Sequence, residues 1–142
     1  MRDLHNAIRT KTVISPLAIG ANATKTGIVI DRQGYGGVEF LASYGAVTTT
    51  GTIVTLVVKE GDVTGTLTSV ANADLLGTEA LASLLAGARV AGTGKEVTKR
   101  VGYKGVKRYV SVDAVQTGVT SVGVVGVAAI LHDAAVAPTV NP

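Results

Sequence analysis

The chain has 142 residues, a length that suits one domain and leaves little for a second core. Zero cysteines exclude a disulfide scaffold, a thiolate zinc site, an iron–sulfur cluster and a cysteine nucleophile, and 46% hydrophobic with 16% charged residues excludes a disordered chain. The net charge is only +3, and 23 Val, 19 Ala, 18 Thr and 18 Gly against five aromatics favour thin strands joined by glycine turns.

Residues 1–12 lack the ~7–15-residue apolar core of a secretory signal, so no export is expected. Residues 12–19 are β-prone but contain Pro16, which has no N–H for a central ladder, and read as an edge strand or an arm. We take residues 1–15 as an extended N-terminal arm whose Leu4, Ile8, Val13 and Ile14 bury on a neighbouring subunit. Residues 26–31 form a short strand closed by a turn at 33–37. In 38–44 the alternation places Val38, Phe40, Ala42 and Tyr44 on one face. Residues 52–59 have the length and borders of a buried strand, ending in a turn at Glu60-Gly-Asp62. From 64 to 93 the pattern weakens into a long crossover, with one helical turn at 71–77 capped by Asn72 and a second apolar piece at 81–88. Strands at 96–103 and 106–114 flank Gly102-Tyr-Lys-Gly105, which gives a tight hairpin or a corner, and Arg108 wets part of the second one. Residues 121–131 make a strand kinked at Gly123 and Gly126; at eleven residues this apolar run is far short of the ~20 a membrane span needs.

Seven or eight strands at this spacing predict an all-β fold, an antiparallel β-sandwich or jelly roll, with one long loop carrying a short helix. The domain is placed at 16–132 and a loose C-terminal tail at 133–142.

Signals for catalysis are sparse. His5 and His132 read as surface histidines, and a hydrolase built on Ser111, His132 and Asp133 has nothing to position it. The carboxylates are scattered, and Glu60-Gly-Asp62 does not continue into a calcium loop, so neither metal nor cofactor is expected. Gly92-Thr-Gly-Lys95 ends like a phosphate loop, but Arg89 and Glu96 stand where glycine and a hydroxyl residue are required. Gly102-Tyr-Lys-Gly105 has the spacing of a KH-domain clamp without the flanking helices.

One charge asymmetry stands out. Residues 95–108 carry six cations and one acid, a net +5, while the rest of the chain is net −2. Lys99, Arg100, Tyr103, Lys104, Lys107 and Arg108 are therefore the candidate partner-binding residues. Cations beside tyrosines suit an acidic protein surface or, less well at a whole-chain +3, nucleic acid; a merely solvated face is the bland alternative.

Three stretches, Ala73-Asp-Leu-Leu-Gly-Thr-Glu-Ala80, Val101-Gly-Tyr-Lys-Gly-Val-Lys-Arg-Tyr-Val110 and Val125-Gly-Val-Ala-Ala-Ile-Leu131, resemble small virion proteins of tailed bacteriophages. Thr12-Val-Ile-Ser-Pro16 and Asp31-Arg-Gln-Gly-Tyr35 fit the same group, so the resemblance spans most of 12–131. None of these is a catalytic signature. The group is similar to capsid decoration, or cement, proteins, which implies a non-enzymatic homo-oligomer, trimer or dimer, bound to the major capsid protein on the virion surface. The resemblance also admits a head–tail connector. The Ala- and Gly-rich stretch 81–93 departs from the pattern.

Overall fold

The computed structural model describes residues 3–19, 22–45, 51–84, 97–118 and 123–136. In chain order it contains β1 (Arg9–Ile19), β2 (Ala23–Lys25), β3 (Ile30–Asp31), β4 (Tyr35–Tyr44), β5 (Ile53–Val63) and β6 (Thr66–Ser69). A 3₁₀ turn (Asn72–Asp74), β7 (Leu75–Leu76), α1 (Glu79–Ala82), β8 (Val97–Tyr103), β9 (Tyr109–Thr117) and β10 (Gly123–Ala134) follow.

Two antiparallel sheets face each other. The first runs β1-β10-β4-β8-β7; the second runs β2-β9-β5-β6, with β3 also paired to β9. This is the β-sandwich that the strand spacing predicts. The period-two pattern explains the core directly. Val38, Phe40, Ala42 and Tyr44 of β4 and Val125, Val127, Ala129 and Leu131 of β10 turn inward, where they meet Val54, Leu56 and Val58 of β5 and Val110, Val112 and Ala114 of β9.

The N-terminal arm is corrected. β1 pairs with β10 from Arg9↔Leu131 to Ile19↔Gly123, so the boundary at residue 15 falls inside a strand, and the one at 132 falls inside β10. Val13 and Ile14 are each 1% exposed within their own chain. Their hydrophobic side chains lose more water by closing the sandwich than by waiting for a neighbour, each worth about 1.5–3 kcal/mol. Pro16 does sit on an edge strand, within the Ile14–Leu17 register shift of the β1–β10 ladder. Its ring lies over Gly126, where a Cβ would come within 3.0 Å of Pro16 Cγ.

Two turn assignments also change. Glu60-Gly-Asp62 lies within β5, which turns back into β6 only after Val63. The helical turn expected over 71–77 is a 3₁₀ turn at Asn72–Asp74 followed by β7, and its cap is Ala71, with no side-chain bond, rather than Asn72. Of the two expectations for Gly102-Tyr-Lys-Gly105 the structure has the corner: β8 pairs with β4 in the first sheet, β9 with β5 in the second. Residues 85–88 of the second apolar piece lie outside the described residues, as do most of the tail and Gly92-Thr-Gly-Lys95; the described part of that piece includes the end of α1.

The upper edge of β5 is finished in an unusual way. Val54 exchanges both backbone bonds with Leu84, at 2.8 and 2.9 Å. Leu56 N–H donates to Ser83 Oγ at 2.9 Å and Val58 N–H to Glu79 Oε1 at 2.6 Å. Side chains of the α1 segment thus stand in for the next strand of the ladder.

Candidate partner-binding surface

Among the described residues the basic run is divided rather than gathered into one patch. Four of its cations lean on different segments of the chain. Lys99 Nζ donates to the Ser83 carbonyl at 2.7 Å, fastening β8 to the end of α1. Arg100 Nε stands 3.7 Å from Glu39 of β4, with the Arg100 side chain 77% exposed. Lys107 Nζ is 2.5 Å from Asp62 of β5, which holds the lysine pKa above its usual value. Arg108 grips Asp31 of β3 with two bonds, Nε at 3.0 Å and Nη2 at 2.7 Å, and stacks over the Tyr109 ring. These bonds first, then a bond from Gln33 N–H and the Arg108 and Lys11 charges, outweigh partial burial and lower the Asp31 carboxyl to about 2. Lys104 keeps an exposed side chain while its backbone N–H bonds Asp74 O at 2.9 Å. Lys95 lies outside the described residues.

Tyr103 is corrected from a stacking platform to a core residue. It is fully buried, its hydroxyl donates to Glu60 and accepts the Lys107 N–H at 3.0 Å. Burial, then the Glu60 contact, pushes its phenol well above the usual tyrosine range. Over its ring, 5.2 Å from the centroid, lies the guanidinium of Arg32.

Arg32 is the residue the sequence reading passed over. It is 8% exposed and donates Nε to Lys107 O at 2.6 Å, Nη1 to Tyr35 O and Gly36 O at 3.1 Å each, and Nη2 to Gly105 O at 2.5 Å. A buried guanidinium is tolerable only with its donors used, and here the carbonyls belong to two segments that must be held together. The stretch Asp31-Arg-Gln-Gly-Tyr35 contained the only signal, an arginine beside a turn. Gly105 fits because any Cβ there would lie 2.5 Å from the Tyr103 hydroxyl. The segment 103–108 is therefore a knot binding the β3–β4 turn to the β8–β9 corner.

The remaining arm residues divide. Leu4 is 60% exposed in a turn in which Asn6 N–H and Nδ2 bond the Asp3 carboxylate; Ile8 is half-buried at the start of β1. Leu4 keeps an exposed side chain; Val13 and Ile14 do not.

The surface that does face outward unclothed is the outer face of the first sheet. On β10 the outward positions Val124, Ala128 and Ile130 are apolar, and the Pro16 ring of β1 covers the buried Gly126 between them. They are flanked by Thr12 and Ala18 of β1 and by Leu41 and Ser43 of β4. The solvent face of an antiparallel sheet ordinarily alternates to polar side chains. Here that rule fails over a patch of roughly 300 Å², taking ~3.4 Å per residue along β10 and ~4.8 Å between strands. Charges stand at its margin: Glu39 is paired with Ile130, and Arg100 with Leu41.

Ser111 gives its hydroxyl to Gly27 O at 3.0 Å, inside the second sheet, while His132 Nδ1 and Asp133 Oδ2 lie 2.9 Å apart at the end of β10 in the first. The structure does not bring the three together. No group of three metal-ligating side chains occurs among the described residues, and among them no helix is long and apolar enough to cross a membrane.

No family model and no curated protein matches the sequence. Among solved structures the chain is similar to one from the structure of the infectious bursal disease virus Gx strain, at 12% identity and a TM-score of 0.47. The match covers 88% of this chain and 32% of that one. A likeness of that degree assigns no role.

Proposed function

We propose that the chain is a structural virion protein that decorates and stabilises a bacteriophage capsid by binding the major capsid protein, working as a homo-oligomer. The observation that carries this reading is the uncharged outer face of β1, β10 and β4. The largest exposed apolar patch of an ordinary monomer covers about 300–600 Å² and is often functional. The resemblance in sequence to small tailed-bacteriophage virion proteins names the kind of assembly. Three cations of the basic run, Lys99, Lys107 and Arg108, are engaged in ties between segments of the same chain.

The test is co-sedimentation of the purified protein with capsid shells prepared without it. Saturable binding with a copy number that follows shell symmetry is expected, and Ala128→Glu, which places a charge in the centre of the patch, is expected to reduce occupancy at least tenfold while leaving the fold intact. Absence of binding, or binding that Ala128→Glu leaves unchanged, overturns the reading. A ring of fixed copy number at a single vertex transfers the chain to a head–tail connector role.

A further inference from the structure

A second surface lies where the two sheets part. Ile28 N–H bonds Val13 O at 2.8 Å, and this contact ties the edge of the first sheet to the segment leading into β3. On the N-terminal side of that tie, β1 follows β10 while residues 28–30 follow β9, and between them opens a cleft of about 570 Å³. Arg9, Thr10, Lys11 and Thr12 line one side and Ile28, 60% exposed, the other.

The chemistry of the cleft is one-sided. Arg9 Nε is buried and has no hydrogen-bond acceptor in the structure, a costly state for a guanidinium donor. Neither Arg9 nor Lys11 stands within ion-pair distance of a carboxylate among the described residues. The nearest acid, Asp31, has both oxygens engaged by Arg108, and Lys11 acts on it only through its charge. Arg9 and Lys11, which pair with the inward positions Leu131 and Ala129, thus face a space in which, among the described residues, no carboxylate is left unengaged, with Thr10 and Thr12 at its outer rim. The wall behind them is also a sheet edge: β1 has a ladder partner on one side only, so alternate residues turn their N–H and C=O groups away from β10.

We propose that the cleft between β1 and residues 28–30 receives an extended acidic segment of a partner protein, which lays its backbone along the open edge of β1 and its carboxylates on Arg9 and Lys11. Strand addition supplies backbone pairing, and the alternating side chains supply selectivity. An acidic residue reaches the cations, and the apolar residue beside it covers Ile28. The site adjoins the outer face of the sheet at Thr12 and Ala128, which also line the cleft, and stands whatever particle the chain belongs to.

The experiment uses the full chain, amide-resolved NMR at low salt and a blocked peptide of alternating valine and glutamate. Saturable shifts centred on residues 9–12 and 28–30 are expected. Lys11→Glu is expected to weaken binding about tenfold or more through loss and reversal of one charge. A lysine-for-glutamate peptide should not bind, and neither should the acidic peptide with alternate backbone nitrogens methylated, a control that leaves the protein untouched. No saturable binding, equal binding of the lysine peptide, or indifference to Lys11→Glu overturns the proposal. Displacement of the peptide by an equal concentration of inorganic phosphate, together with full binding of the methylated peptide, also overturns it by reducing the cleft to a small-anion site.

Discussion

Tyr103 shows how much one hydroxyl can carry. It satisfies Glu60 on one side and the Lys107 N–H on the other, so Tyr103→Phe strands both partners in a partly buried place. We expect a loss of about 1–3 kcal/mol in urea unfolding; a change under a few tenths would show that water replaces the hydroxyl freely. Arg32→Lys should cost at least as much, since one ammonium cannot reach the four carbonyls of both segments as the guanidinium does. Asp31 gives a pH signature. Its folded-state carboxyl is depressed to about 2, so its contribution is fully present above the unfolded value near 3.8 and fades as pH falls through 2. The pair is partly exposed and screened, which limits it to ~0.5 kcal/mol. The stability gap between the parent and Asp31→Asn should therefore be measurable at neutral pH and close on acidification below about 4; a gap that persists at the lowest pH would contradict the pairing. The cations of this region were legible in the sequence but their partners were not, because the Lys107–Asp62 and Arg108–Asp31 contacts join positions 45 and 77 apart. No local pattern distinguishes a free cation from one already spent.

At the level of elements, alternation identified the strands where one face is core, as in β4, and misjudged segments whose partners decide their state. β1 is the clearest case. Its Pro16 and threonines read as an arm until β10 is beside it, and only the pairing makes Val13 and Ile14 interior. Removing residues 1–8 should leave a folded protein, whereas removal through residue 15 takes two buried side chains and half of an edge ladder, at about 3–6 kcal/mol for the side chains alone. Cooperative melting of the shorter deletion and its loss in the longer one is the expected pair of results; a longer deletion that still melts cooperatively would return these residues to arm status. The α1 segment offers a finer test. Ser83 Oγ accepts from Leu56 N–H and donates to Glu79 O at 2.6 Å, so Ser83→Ala opens a hydrogen bond on a buried strand edge. The cost should be about 1–2 kcal/mol, and hydrogen exchange should accelerate at Leu56 more than at Val110, whose strand is covered on both sides.

Across the whole molecule, strand number could be read locally but sheet membership could not, since nothing near Gly102-Tyr-Lys-Gly105 tells β9 to leave the sheet of β8. What closes the first sheet is the pairing of the first strand with the last, Arg9↔Leu131, which holds the two ends of the described chain side by side. That pairing is the least local in the fold, and loop-closure entropy makes such contacts slow to form. A circular permutant opened at the exposed Thr64-Gly65 turn, with the old ends joined by a short linker, converts β10 and β1 into neighbours in sequence. It should fold faster than the parent in stopped-flow refolding while its unfolding rate changes little, and an unaltered refolding rate would mean that β1–β10 closure comes after the rate-limiting step. The same permutant bears on function, because the β1, β10 and β4 face survives the new connectivity. If that face is what meets the shell, the permutant binds particles as the parent does, and Ala128→Glu abolishes binding in both chains; binding that instead follows the position of the chain ends would shift the contact from the sheet face to the termini.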